Sequence, residues 1–279
     1  MYERRKRTMA QLLMDSFPGY LLTYLNTAKK HDSNYDIAVQ MLKHYDKLPS
    51  MTLDQMAALC FVSQASISRF CKMLGFSTFA EFKDALCPLE HAPFKVERCY
   101  PRDLKRVLED PADTKGAYLH ALKLNAEAVV SPANLAEIDR FLPVLRDAKR
   151  VVCFGSHFNW ECATFLQEKM LFLGRFMEVP YHGEDQQDAA SALTRKDLAI
   201  ITSAGCTYRA HYGKIWESLM TGPAQVALIT QNTHSMLAND ADFVLSSGVS
   251  NQFDNAKMST LQLIDLIVMK YIEIYGGEK

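Results

Sequence analysis

Two short runs in the second half of the chain hold the residue types from which an anion site is built. Phe154-Gly-Ser-His-Phe-Asn-Trp160 and Thr202-Ser-Ala-Gly-Cys-Thr-Tyr208 each follow an apolar, strand-like run. In the second run, hydroxyls at Thr202, Ser203 and Thr207 can donate to phosphate-like oxygens, and Gly205 lets a ligand approach the main chain closely. Ala204 and Cys206 complete that loop. Gly155, Ser156, His157 and Asn159 occupy the equivalent place in the first run, where a protonated His157 would add a cation. A third run, His182-Gly-Glu-Asp185, can line the same place or supply acid–base groups, with Glu184 or His157 as a base. Such a run is more often a solvated loop before a helix, with Asp185 as N-cap.

The first half offers a different chemistry. Gln64-Ala-Ser-Ile-Ser-Arg-Phe-Cys-Lys-Met-Leu74 places Gln64, Ala65, Ser66, Ser68, Arg69 and Lys72 on one face and apolar residues on the other. Small residues let such a helix approach base edges, Gln and Arg form bidentate contacts with them, and Ser, Arg and Lys hold phosphates. The competing reading is an ordinary helical hairpin with a solvated polar face.

Local signals place these residues. Thr52 and Gln55 form a capping box that opens a helix over Leu53–Leu59. Ser63 is a second N-cap, and Gly75 is the C′ residue of the helix it starts. Ala57, Leu59, Val62, Ile67 and Phe70 are the inward positions of the pair. Residues 1–86 read as all-helical. Residues 87–114 read as a linker broken by Pro88, Pro93, Pro101 and Pro111, with a short helix over Pro101–Leu108. From 115 to 279, apolar runs at Arg150–Phe154, Leu198–Thr202, Gln225–Thr230 and, more weakly, Asp242–Leu245 alternate with helical segments at 118–147, 159–174, 208–220 and 255–275. That alternation predicts a doubly wound parallel sheet covered on both faces, whose ligands sit at the carboxyl ends of the strands.

Composition bounds the rest. The 279 residues and 48% hydrophobic content suffice for two cores. Seven scattered cysteines form neither a disulfide framework nor a zinc pattern, and the histidines lack ligand spacing, so no metal and no cofactor is expected. The basic start is followed by Asp15 and Pro18, which predicts neither a signal peptide nor a membrane span and hence a cytoplasmic protein. Net charge is −1, and residues 1–90 carry eleven Lys/Arg against nine Asp/Glu, so charge alone does not announce nucleic acid.

The stretch from Met51 to Lys83 resembles the N-terminal domain of the RpiR/MurR family of sugar-metabolism regulators. Ser63, Ser66, Arg69-Phe70-Cys71, Leu74-Gly75-Phe76, Phe79 and Phe82 all fit the pattern. The resemblance implies an all-α helix-turn-helix head followed by a sugar isomerase (SIS) domain, an α/β doubly wound module that binds phosphosugars. It implies a DNA-binding transcriptional regulator, not an enzyme, with Thr52, Ser63, Gln64, Ala65, Ser66, Ser68, Arg69 and Lys72 toward an inverted-repeat operator in double-stranded DNA. The expected effector is a phosphosugar or similar anion held by Gly155, Ser156, His157, Asn159, Glu184 and residues 202–207.

A homodimer is expected, with pairing of dimers into tetramers left open. Leu261, Ile264, Leu266, Ile267 and Met269 form the apolar face of the last helix, which serves the core and that interface. The chain departs from the family where it has His157, Asn159 and Ala204. Losing a serine hydroxyl at Ala204 is expected to cost about 1.5–3 kcal/mol of binding to a charged group. The alternatives are an SIS-type phosphosugar isomerase or lyase, and a vestigial pocket that serves only dimerisation.

Overall fold

The computed structural model describes residues 21–26 except 23, 31–86 except 46 and 75, and 109–276 except 157, 236–237 and 252–254. The chain divides into two compact units, Met1–Cys99 and Tyr100–Lys279.

The first unit is helical: α1 spans Ser33–Lys43, α2 Leu53–Leu59, α3 Gln64–Met73 and α4 Phe79–Leu86. The caps read from the sequence are present. Gln55 N–H donates to Thr52 Oγ1 (3.2 Å) while Thr52 N–H donates to Gln55 Oε1 (2.8 Å), and Ser66 N–H donates to Ser63 Oγ (3.2 Å). Met56, Ala57, Ile67, Phe70 and Cys71 turn inward onto Ile37, Met41, Leu48, Phe76 and Phe82, and this burial fixes how α2 and α3 cross. Leu59 and Val62 are only half-buried. Gly75 lies outside the described residues, but Phe76 N–H donates to the Cys71 carbonyl (3.0 Å) and closes α3.

The second unit is three-layered. Helices α5 (Pro111–Val129) and α6 (Pro132–Asp147) precede β1 (Val151–Phe154); then follow α7 (Phe158–Phe172), α8 (Gly183–Ser191), β2 (Leu198–Thr202), α9 (Tyr208–His211), α10 (Gly213–Thr221), β3 (Gln225–Thr230), β4 (Phe243–Ser246) and α11 (Ala256–Tyr275). All pairings are parallel, in the order β1-β2-β3-β4. On the far side of β1, Glu178 pairs in parallel with Val152, donating its N–H to the Val151 carbonyl and accepting from Cys153 N–H, each at 2.8 Å. The chain thus steps to one side of β1 after α7 and to the other after α8. Helices α6, α7 and α11 bury one face of the sheet, and α8 to α10 bury the other, which is double winding.

Side chains close both edges of this sheet. Gln167 Nε2 donates to the Met177 carbonyl (2.7 Å) and Trp160 Nε1 to the Val179 carbonyl (3.3 Å). On β4, Asn134 exchanges two bonds with Ser246 (2.7 and 3.0 Å), and Glu137 Oε1 accepts from Val244 N–H (3.1 Å). Carbonyls and N–H groups satisfied in this way offer no template to a further strand.

Several expectations need correction. Pro111 does not break a helix but starts one: at N1 its missing N–H costs nothing, and Asp110 accepts from Asp113 N–H (2.9 Å). The 118–147 segment is two helices, because Ser131 caps a new one with Pro132 at N1. The 208–220 segment also divides, at Tyr212. Asp185 is not an N-cap; His182 takes that position, and Glu184 and Asp185 lie in the first turn of α8. Pro101–Leu108 falls outside the described residues.

Candidate functional site

In the first unit, α2 ends at Cys60 and the chain turns through Phe61, whose φ is +55°. Phe61 N–H donates to the Ala58 carbonyl (3.2 Å) and Val62 N–H to the Ala57 carbonyl (3.0 Å), the reversed pair of bonds that ends a helix at a left-handed residue. Two residues on, α3 begins. Gln64, Ala65, Arg69 and Lys72 are exposed, Ser66 and Ser68 are half-buried, and Thr52 and Ser63 stand exposed at the starts of α2 and α3.

These side chains are partly organised already. Arg69 Nη2 donates to Ser66 Oγ (3.1 Å), which lies 3.0 Å from Ser63 Oγ. Gln64 Nε2 donates to Asp54 Oδ1, so its amide must leave that carboxylate to read a base. Sequence reasoning missed Asp54, whose charge sits beside the helix that would face phosphates.

In the second unit, the switch in winding direction falls between β1 and β2. Loops leaving the carboxyl ends of adjacent strands part there and leave a crevice. Gly155 is buried at its floor. A Cβ at Gly155 would stand 3.0 Å from the Asn159 carbonyl carbon and the Trp160 nitrogen, so only glycine lets α7 start this close to β1. Ser156 is half-buried beside it; His157 lies outside the described residues. In the second loop Gly205 has ordinary backbone, and a Cβ there would stand 3.6 Å from Thr207 Cγ2, whereas Cys206 carries the positive φ, +55°. The Cys206 thiol offsets that strain by contacts with Thr230 Oγ1 (3.2 Å) and Ser235 Oγ (3.3 Å).

The hydroxyls of the second loop do not share one role. Thr202 and Ser203 are 2% and 1% exposed, and Ser203 Oγ accepts from Tyr208 N–H at 3.1 Å. Thr207 and Gly205 are exposed. Among the described residues, the Thr207 and Ser156 hydroxyls and the Gly205 and Thr207 N–H groups carry no hydrogen bond. Ala204 N–H donates to Asn159 Oδ1 (3.3 Å) and so joins the two loops.

A buried network that sequence reasoning missed holds the crevice walls. Gln186 on α8 donates to the carbonyls of Gly155 and Tyr181 (3.1 Å each) and accepts from Tyr208 Oη (2.5 Å). Burial drives the Tyr208 phenol far above its usual ionisation range, so it stays a donor. Around the rim, Trp160 meets Tyr181 edge-to-face at 4.9 Å, and Tyr212 stacks on Tyr208 at 4.9 Å. Burial raises the Tyr212 phenol too, as does the nearby Tyr181 phenol. Glu184 is exposed on the first turn of α8. No described helix is long and apolar enough to cross a membrane.

Residues 20–88 match the family model described as helix-turn-helix domain, rpiR family. A Haemophilus influenzae protein named as an uncharacterized HTH-type transcriptional regulator is 26% identical over 255 residues, which cover 88% of this chain and 86% of that one. Similar folds occur in the Vibrio vulnificus NanR protein solved with ManNAc-6P (TM-score 0.50, 18% identity, 92% of each chain). They occur also in the sugar isomerase domain of an RpiR transcription factor from Sphaerobacter thermophilus (TM-score 0.49, 17% identity, 60% of this chain and 92% of that one).

Proposed function

We propose that this chain, whose residues 20–88 form a helix-turn-helix domain of the rpiR family, is a transcriptional regulator that reads DNA with α3 and answers to a phosphosugar in its α/β unit. The observation that carries the reading is α3 itself. It is capped at Ser63, locked into the core through Ile67, Phe70 and Cys71, and presents Gln64, Ala65, Arg69 and Lys72 outward. A rigid helix with small and cationic exposed residues can enter a major groove without clashing with base edges. Thr52, Ser63, Ser66 and Ser68 are placed at helix starts and on the same helix, where hydroxyls and free N–H groups suit phosphates.

The effector is a phosphosugar or related anion in the crevice between β1 and β2, and the unit acts as a sensor, not an enzyme. Ser156, Gly205 and Thr207 offer unspent donors at the carboxyl ends of those strands, where an open α/β sheet takes its ligands. The V. vulnificus relative of similar fold was solved with ManNAc-6P, which supports trying that compound first. Two chains pair through the α/β unit in the cytoplasm, so that two heads read an inverted repeat. Any ligand effect on DNA affinity is limited to its differential affinity for the two states; a tenfold effect needs about 1.4 kcal/mol.

Selection of bound duplexes from a random pool by the full-length protein tests this. Enrichment of an inverted repeat, released or strengthened by ManNAc-6P, is the expected result. No enrichment with or without phosphosugars would remove the DNA-reading assignment.

A further inference from the structure

We propose that Asn159 is a built-in competitor of the effector: its carboxamide oxygen occupies the Ala204 N–H that an anionic oxygen of the ligand must take. The proposal rests on the anion-binding reading of the crevice and adds what sets its affinity.

The geometry of the second loop leaves little freedom. The Ser203 carbonyl accepts from Cys206 N–H at 2.9 Å, which fixes the plane of the Ser203–Ala204 peptide. In a trans peptide the N–H points opposite to the carbonyl, so Ala204 N–H is directed away from that bond and toward α7. The next peptide is fixed as firmly, because the Ala204 carbonyl accepts from Thr230 Oγ1 (3.0 Å) and Gln231 N–H (2.9 Å). Its Gly205 N–H therefore also has a set direction, and it has no partner among the described residues. Successive main-chain N–H groups held by their own carbonyls make a concavity that favours anions.

Asn159 fills the first of these positions. It sits in the opening turn of α7, its N–H bonded to the Ser156 carbonyl (3.1 Å) and its backbone packed on Gly155, so its side chain starts from a fixed point. Its Oδ1 lies 3.3 Å from Ala204 N, long for a strong bond, and the residue is half-exposed, within reach of a solute. A carboxamide oxygen is neutral; an anionic oxygen makes hydrogen bonds roughly twice as strong at such a site. The ligand can thus displace Asn159, at the expense of the bond it breaks.

Isothermal titration of the full-length chain with inorganic phosphate and with ManNAc-6P tests this. Asn159→Ala removes the competitor and should tighten binding of both about tenfold, the equivalent of one bond of about 1.4 kcal/mol no longer to be broken. Asn159→Ser, the milder replacement, should move the same way. Asn159→Asp leaves size unchanged but sets a full negative charge at Ala204 N–H, and should lower affinity more than tenfold while melting no lower than wild type.

If wild type binds and Asn159→Ala binds equally or more weakly, or Asn159→Asp binds as wild type does, the competitor role is overturned and the anion-binding reading stands. If neither compound binds to wild type or to either neutral variant, both fall.

Discussion

Phe61 closes α2 in a backbone region that costs a residue with a Cβ about 1–2 kcal/mol. Its ring is 89% exposed, so it recovers almost nothing by burial. Phe61→Gly removes the strain and keeps both closing bonds, from residue 61 N–H to Ala58 and from Val62 N–H to Ala57. Against this, the unfolded chain gains freedom worth roughly 0.5–1 kcal/mol. The expected net gain is about 0.5–1 kcal/mol, or a two- to fivefold slowing of hydrogen exchange at the α2 and α3 amides that open with this unit. Native-state exchange on the full-length chain reads this directly, without requiring the two units to melt separately. Phe61→Val, β-branched in the same conformation, should speed exchange instead. Faster exchange in Phe61→Gly would refute the argument and mean that the exposed ring makes a stabilising contact.

Arg69→Ala should leave the melting temperature within experimental error, since the side chain is exposed and, among the described residues, bonded only to Ser66. It should also abolish preference for the selected operator at fixed salt; retained preference would remove Arg69 from the reading face. Gly155→Ala drives a Cβ into the first turn of α7 and should cost about 1–3 kcal/mol in urea unfolding, a loss that an unchanged midpoint would contradict. The Arg140 hydrogen bond, opposed by partial burial and aided by Val244 N–H, holds Glu137 below the usual carboxylate range. Its contribution is therefore present above the unfolded glutamate pKa and is lost as pH falls through the lower folded value. Glu137→Gln should flatten that acid limb of stability against pH, and an unaltered limb would show that the Glu137 carboxylate carries no pH-dependent stability.

The parts legible in the sequence were those whose signals are local. The Thr52–Gln55 box and the Ser63 cap lie within four residues of the bonds they make, and β1 to β3 are short apolar runs that a sheet covered on both faces demands. Where the reading failed, the deciding partner was distant or the signal was weak. Helix α8 buries only Gln186 and Ala190, which leaves no apolar period to fix its start, and the cap fell at His182 instead of Asp185. The segment at Glu178 joins the sheet through a single bridge, yet it moves the switch point to β1 and so creates the crevice. The starts of α5 and α6 were legible in principle, since Asp110-Pro111 and Ser131-Pro132 are both cap-plus-N1 pairs.

The crevice shows the same division more sharply, because residue types single out two loops as candidates but not which groups in them are free. Thr202 and Ser203 read as phosphate ligands from their hydroxyls; the fold buries both and turns Ser203 Oγ toward Tyr208 N–H. Nothing in the residue types announced the positive φ at Cys206, whose thiol finds Thr230 and Ser235 across 24 and 29 residues of sequence. Asn159 and Ala204 meet across 45 residues. Each outcome turns on a hydrogen-bond partner supplied by another strand or helix. A loop's residue types therefore mark it as able to hold an anion, while the spare donors, here Ser156, Gly205 and Thr207, are set by what the rest of the sheet has already taken.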